Sequence, residues 1–236
     1  MENILDSIGE WFVEFADEFY QCLIYKDRWL MLLKGLGVTL QITFLSIIVG
    51  TILGIIFALM KISKSKFLIG SSNIYTTIFR GTPLMIQLLI IYFVIFASIN
   101  TSKILIAVIA FGLNSGAYVA EIVRAGIMAV DKGQMEAGRS LGLNYRQTMT
   151  HIILPQAAKN ILPTYTSEFI VLIKETAIVG YIALEDLTKM GDIIRSQTYS
   201  AFFPLIAVAL IYLALTTLLT KAFSILERRL RQGDNR

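Results

Sequence analysis

Residues 35–60 read GLGVTLQITFLSIIVGTILGIIFALM, a run with no Asp, Glu, Lys or Arg. As a helix it would be about 39 Å long at 1.5 Å per residue, more than the roughly 30 Å hydrocarbon core of a bilayer. Two more uncharged runs, 81–102 and 196–220, are long enough to cross as well. A fourth, 104–128, is uncharged until Glu121 and Arg124 near its far end. A fifth, 162–182, contains Glu168, Lys174 and Glu175, which suits a helix facing protein or water rather than lipid. The expected fold is an all-α integral membrane protein with five transmembrane helices.

Composition agrees. Of 236 residues, 56% are hydrophobic and only 16% charged, too little charge to cover a soluble domain of this length. No stretch between the apolar runs is long enough for a separate soluble fold. The net charge of +4 is small, and no nucleic-acid partner is expected. The single Cys22 excludes an internal disulfide and a cysteine-built metal site. The first residues, Met1 to Asp6, are acidic where a secretory signal begins basic, so no cleaved signal peptide is expected.

Lys and Arg concentrate on the cytoplasmic side of a membrane. Lys61, Lys64 and Lys66 follow the first run, Lys132, Arg139, Arg146 and Lys159 separate the third from the fourth, and four arginines close the chain. The alternation fits five crossings with the N-terminus outside and the C-terminus cytoplasmic. Ahead of the first run, Ile4, Ile8, Trp11, Phe12, Phe15, Phe19 and Leu23 recur at helical spacing beside an acidic stripe of Glu2, Asp6, Glu10, Glu14 and Asp17. An amphipathic helix lying in the outer interface is expected over 1–27, against membrane lipid, with the membrane unit at 28–225 and a basic tail at 226–236.

Residues 131–142 form the most informative polar stretch. Asp131 and Gln134 have capping-box spacing, and Gly142 is a natural C-terminal stop. A short cytoplasmic helix is expected between spans three and four, with small Ala137 and Gly138 at its centre and Leu141 projecting. By physics alone, a solvated linker helix explains this as well as a docking element does.

Glu136-Ala137-Gly138, Gly142, Ile152 and Leu154-Pro155 closely resemble the EAA loop of ABC-importer permeases, with Gly138 in place of the second alanine. Gly37 to Thr43, Arg80 to Leu84, Asn114 to Arg124 and Lys174-Glu175-Thr176 narrow the resemblance to the polar amino acid permease family. This implies that Glu136, Ala137, Gly138, Leu141 and Gly142, within the 131–155 loop, couple to a separate ATP-hydrolysing subunit. It implies a second permease copy or homologue, an extracytoplasmic substrate-binding protein, an amino acid passenger and a bacterial inner-membrane location.

Asn114, Glu121 and Arg124 fall on one face of span three at helical spacing. A carboxylate beside a guanidinium complements a zwitterion, and these three are the expected substrate contacts. An internal Glu121–Arg124 ion pair that only joins helices is the competing explanation. Glu168 and Lys174 fit either a pathway or a dimer interface. His151 stands without a Cys or second His, so no metal or cofactor is expected. No phosphate loop of the Gly-x-x-x-x-Gly-Lys-Ser/Thr type occurs, so the chain is not expected to be an enzyme. An ion-coupled secondary transporter or channel is the alternative, and it would need no docking helix.

Overall fold

Small residues decide which helices meet. In the computed structural model, which describes the backbone of residues 2–231 and the side chains of residues 9–229, all described secondary structure is helical. Helix α2 (Arg28–Lys61) lies along α5 (Lys103–Met128), with Gly112 against Val49, Gly50 against Ser115, and Gly54 against Val119 and Ala120. The paired numbers rise together, so the two helices are parallel. A Cβ on Gly50 would stand 3.0 Å from Ser115 Cβ, and one on Gly54 would overlap Val119. Lipid tails are as apolar as a leucine side chain, so helices in a bilayer associate through close packing and polar contacts. The buried face of α2 accordingly carries Thr39, Thr43 and Ser46, while Phe44, Ile52 and Ile55 are exposed.

Two parallel helices require a return path between them. It is supplied by α3 (Lys66–Gly81) and α4 (Leu84–Ile90), the latter extended by a π turn through Ile95. The two are bent by 105° at Thr82–Pro83. This corrects the expected span 81–102. Proline has no N–H and forces the preceding residue out of the helical region, and Thr82 is extended at φ −122°, ψ 147°. Past the break, 84–95 makes only about 18 Å of helix at 1.5 Å per residue, too short to cross alone. The bend at Pro83 is therefore a full break, and the missing length lies in α3. That helix hides its polar side: Ser72 and Thr76 are buried, while Phe67, Ile74 and Ile78 face outward.

The polypeptide after α5 passes through two short helices, α6 (Lys132–Ser140) and α7 (Tyr145–Thr148), into α8 (Leu154–Glu175). Gly126 packs on Ile161 and Ser115 bonds Glu168, so α8 runs antiparallel to α5. It begins eight residues before the expected 162, with Pro155 in its first turn, and a 3-10 stretch carries it through Ile182. The final span starts later than 196, because Asp186 caps a separate helix, α9 (Leu187–Thr198). Asp192 on α9 is held below the usual carboxylate range by hydrogen bonds from Arg195 and then Lys189. A left-handed Tyr199 then breaks the chain before α10 (Phe202–Arg231), which absorbs the start of the basic tail. Thr166 bonds Glu227 and Phe169 packs on Phe223, so α10 is antiparallel to α8.

Among the described residues, three helical runs, Gly9–Lys61, Lys103–Met128 and Phe202–Arg229, are long and apolar enough to cross a membrane, and the bent pair would make a fourth. Helix α1 (Glu2–Phe19) precedes α2 and is separated from it by a kink where Lys26 and Asp27 take positive φ. Its Trp11 and Phe12 are exposed, and Phe15 packs on Phe203 of α10. The side chains of Glu2, Ile4, Asp6 and Ile8 lie outside the described residues.

The α2–α5 contact yields the first prediction. Gly54→Val should destabilise the protein by about 1–3 kcal/mol through overpacking. A Cβ on Gly70 of α3 meets nothing within 4 Å. Gly70→Ala should be neutral, or stabilising by up to about 1 kcal/mol. Thermal unfolding of both variants in one detergent checks the contrast; equal melting temperatures would show that the contact is not tight.

Candidate functional site

Where α2, α3 and α5 converge, one carboxylate faces three cations. Lys61, in the last turn of α2, pairs with Glu121 Oε1 and donates to Thr76 Oγ1 at 2.8 Å. Arg124, one turn beyond Glu121, gives its Nε–H to Oε2 at 2.8 Å. Arg80, at the end of α3, has a nitrogen 3.9 Å from Oε1, and its guanidinium lies over the Tyr118 ring at 5.2 Å from the centroid. The expected Glu121–Arg124 pair is present, but Lys61 and Arg80 join it from other helices. One carboxylate cannot offset three cations, so the cluster holds a positive surplus. The Lys61 side chain is 7% exposed, while those of Arg124 and Arg80 are 35% and 43% exposed. The reachable part of the cluster is its two guanidinium groups.

Asn114 has a different surrounding. Its Nδ2 donates to Gln87 Oε1 at 2.9 Å and to the Phe79 carbonyl at 3.0 Å. Gln87 in turn donates to the carbonyls of Phe79 and Thr82 and to Thr82 Oγ1. These are the backbone groups that the break at Pro83 leaves without helical partners. Both Asn114 amide protons are thus engaged in holding the bend to α5. Asn114 and Glu121 are one helical face apart in sequence, yet the structure engages both with protein groups.

Glu168 of α8 is the contrasting carboxylate. It accepts from Ser115 Oγ at 3.1 Å and lies within electrostatic reach of Arg80 and Glu175. Among the described residues, no ion pair involves Glu168. Arg80 therefore stands between one acidic group already held by cations and another bonded only to a hydroxyl. Sequence reading gave Ser115 and Gln87 no role of their own, and counted Lys61 among the charges that mark the cytoplasmic side. Nothing in their spacing shows that 61, 80, 121 and 168 meet, because they lie on four different helices.

The second region is the projecting turn built by α6 and α7. Asp131 caps α6 as expected, though its side chain accepts from Gly133 N at 2.7 Å. Gln134 does not complete the box; its side chain meets Gln156 instead. A full capping box forms at Asn144 and Gln147, where none was expected. Gly142 ends the helix at φ +86°, a conformation that favours glycine. Gly142 N bonds Arg139 O and Leu143 N bonds Gly138 O, the two bonds of a Schellman motif. The turn rests on the main body through buried Val130, Ile153 and Ala157. Glu136, Ala137 and Gly142 are exposed, and Leu141 is 81% exposed. Gly138 instead faces inward, and a Cβ there would sit 2.5 Å from Thr148 Cγ2. The inward position explains the glycine where the resembling motif has alanine.

Several helices long and apolar enough to cross a membrane, with no other described secondary structure, are the make-up of a multi-pass membrane protein. A model of the binding-protein-dependent transport system inner membrane component matches residues 50–232, and the chain belongs to that family. It is an ABC-transporter permease of the polar amino acid importer type. It is 44% identical over 205 residues to the arginine transport system permease protein ArtQ of Bacillus subtilis, covering 86% of this chain and 94% of that one. A putative glutamine transport system permease protein, GlnP of Rickettsia bellii, is 42% identical over 214 residues, covering 90% and 98%. The crystal structure of an amino acid ABC transporter with histidines superposes with a TM-score of 0.79 at 46% identity, covering 84% of this chain and 94% of that one. The inward-facing MetNI methionine ABC transporter shares the fold at 21% identity, with a TM-score of 0.76 over 88% and 99%.

The inward-facing glycine carries a prediction. Gly138→Ala should destabilise the turn by about 1–3 kcal/mol. Adding Thr148→Ser removes the colliding methyl while keeping the hydroxyl that bonds Asn144 O, and should recover most of the loss. Thermal unfolding of single and double variants tests this; additive losses would refute the Gly138–Thr148 contact.

Proposed function

We propose that this chain is the translocating subunit of an ATP-driven importer of polar amino acids, working beside a second copy or homologue. An ATPase subunit docks on the 131–155 turn, and an extracytoplasmic binding protein delivers the passenger. The observation that carries this reading is the turn itself. It is capped at both ends, seated on a small core, and ends in a leucine that no neighbour in the chain covers. A solvated linker needs neither rigidity nor an exposed leucine at its tip. An ion-coupled carrier has no use for such a knob.

Helix directions support five alternating crossings, and the Lys/Arg distribution supports an N-terminus outside and a C-terminus in the cytoplasm. α2 and α5 are parallel, the bent pair returns between them, and α8 and α10 alternate afterwards. The passenger meets the chain between α3, α5 and α8. Arg80 and Arg124 present guanidinium groups to its carboxylate, and Glu168 offers an acceptor to its ammonium or basic side chain. Asn114 and Glu121 serve that site by holding the bend and the cations. The names of the similar proteins, arginine and glutamine permeases, fit a polar passenger.

Leu141→Arg should abolish docking of the ATPase subunit, since an apolar anchor lost from such an interface costs about 2 kcal/mol or more. Co-purification of the tagged complex and binding-protein-stimulated ATP hydrolysis in proteoliposomes measure it. Full stimulation with this variant would leave the turn as a linker.

A further inference from the structure

Lys61 and Arg80 approach the same oxygen of Glu121 and make unequal contacts with it. Lys61 is ion-paired to Oε1 and anchored a second time by Thr76 Oγ1. Arg80 stops at 3.9 Å, within ion-pair range and beyond hydrogen-bond range. With Arg124 on Oε2, the group formed by Lys61, Glu121 and Arg124 carries a net positive charge. Such a group does not draw Arg80 closer. Its guanidinium stays over Tyr118, 43% exposed.

Removing the Lys61 charge would change this. Glu121 and Arg124 alone form a neutral pair with a vacated carboxylate oxygen, and Arg80 needs to move only about 1 Å to donate to it. Thr76 and Glu168 do not prevent the movement: the first is a hydroxyl, and the second, bonded to Ser115, forms no ion pair with Arg80 among the described residues. Lys64 and Lys66, exposed just beyond the end of α2, form no ion pair with Glu121 and would not replace Lys61.

We propose that Lys61 is a positioning residue for passenger recognition: by occupying Glu121 it keeps the Arg80 guanidinium free for the passenger's carboxylate. The proposal rests on the reading that Arg80 faces the passenger. Lys61 itself, almost fully buried, touches no passenger.

The test uses the purified permease–ATPase complex without binding protein, titrated with labelled L-arginine and L-glutamine. Lys61→Met should weaken binding about tenfold, whereas Lys61→Arg, which can still occupy Glu121, should stay within about threefold of the parent. Lys61→Met combined with Glu121→Gln removes the group that captures Arg80, and binding should be at least about threefold tighter than with Lys61→Met alone. A purely structural role for Lys61 predicts the reverse, a double variant no better than the single. That outcome overturns the proposal. If Lys61→Met does not assemble, the Glu121→Gln background carries the same test: adding Lys61→Met there should change affinity less than about threefold, and a further tenfold loss overturns the proposal. Arg80→Gln separates the two layers. If it leaves binding unchanged, the passenger-site reading fails and the Lys61 role with it. If it weakens binding while Lys61→Met does not, the site stands and the Lys61 role is refuted.

Discussion

The close approach of α2 and α5 constrains everything else in this protein. Gly50, Gly54, Gly112 and Gly116 let two backbones run nearly in contact, where any larger side chain would separate them. Parallel contact forces the connecting chain to travel back, which makes the bent pair necessary. It also leaves no room for a full helix between α2 and α5, so α3 lies across their surface. Tyr75 of α3 bonds Leu113 O and sits where a Cβ on Gly116 would be. The same glycine therefore admits α5 to α2 and α3 to both.

What holds these elements is an apolar core around Ile42, Leu88 and Phe111 crossed by polar contacts between helices. Ser72 donates to the Phe57 carbonyl, Thr51 bonds Tyr165, and Leu187 N bonds Thr39 Oγ1 across α2 and α9. Without water as competitor, an unpaired polar group is costly, so each hydroxyl placed between helices also selects its register. Phe44, Ile52 and Ile55 of α2 and Ile74 and Ile78 of α3 face away from these contacts, while Ile42 and Ile47 of α2 pack in the core beside them. In a water-soluble helix the two faces would be exchanged.

That exchange explains what was legible in the sequence. Uninterrupted apolar runs mark α2, α5 and α10, because lipid demands them whatever the neighbours are. Helix α3 was missed, since Lys66, Ser71, Ser72, Asn73 and Thr76 read as a polar connection when water is assumed outside. The 81–102 run was read as one span because hydropathy registers composition and Pro83 is a single residue. The turn at 131–142 was legible through local rules: Asp131 caps and Gly142 stops. Its inward and outward faces were not, because Thr148 reaches Gly138 only after the chain reverses. The cation cluster was least legible, its members coming from α2, α3 and α5.

α5 links the two functional regions mechanically. Its Ser115, Tyr118, Glu121 and Arg124 stand at successive turns beside the proposed passenger site, and Asn114 holds the Phe79 carbonyl next to Arg80. At its far end only Ala129, Val130 and Asp131 separate Met128 from the first residue of α6. Val130 is buried against the core beneath the turn, which leaves this junction little freedom to bend. A force applied to α6 therefore reaches α5 along a short, packed connection. It meets Arg124 and Glu121 before any other charged residue of the helix, and through Lys61 it reaches α2. A helix whose last turns carried only aliphatic side chains could slide in its groove without altering any charge. Here the ion pairs tie the position of α5 to the placement of Arg80, so the proposed docking turn and the proposed passenger site share one helix.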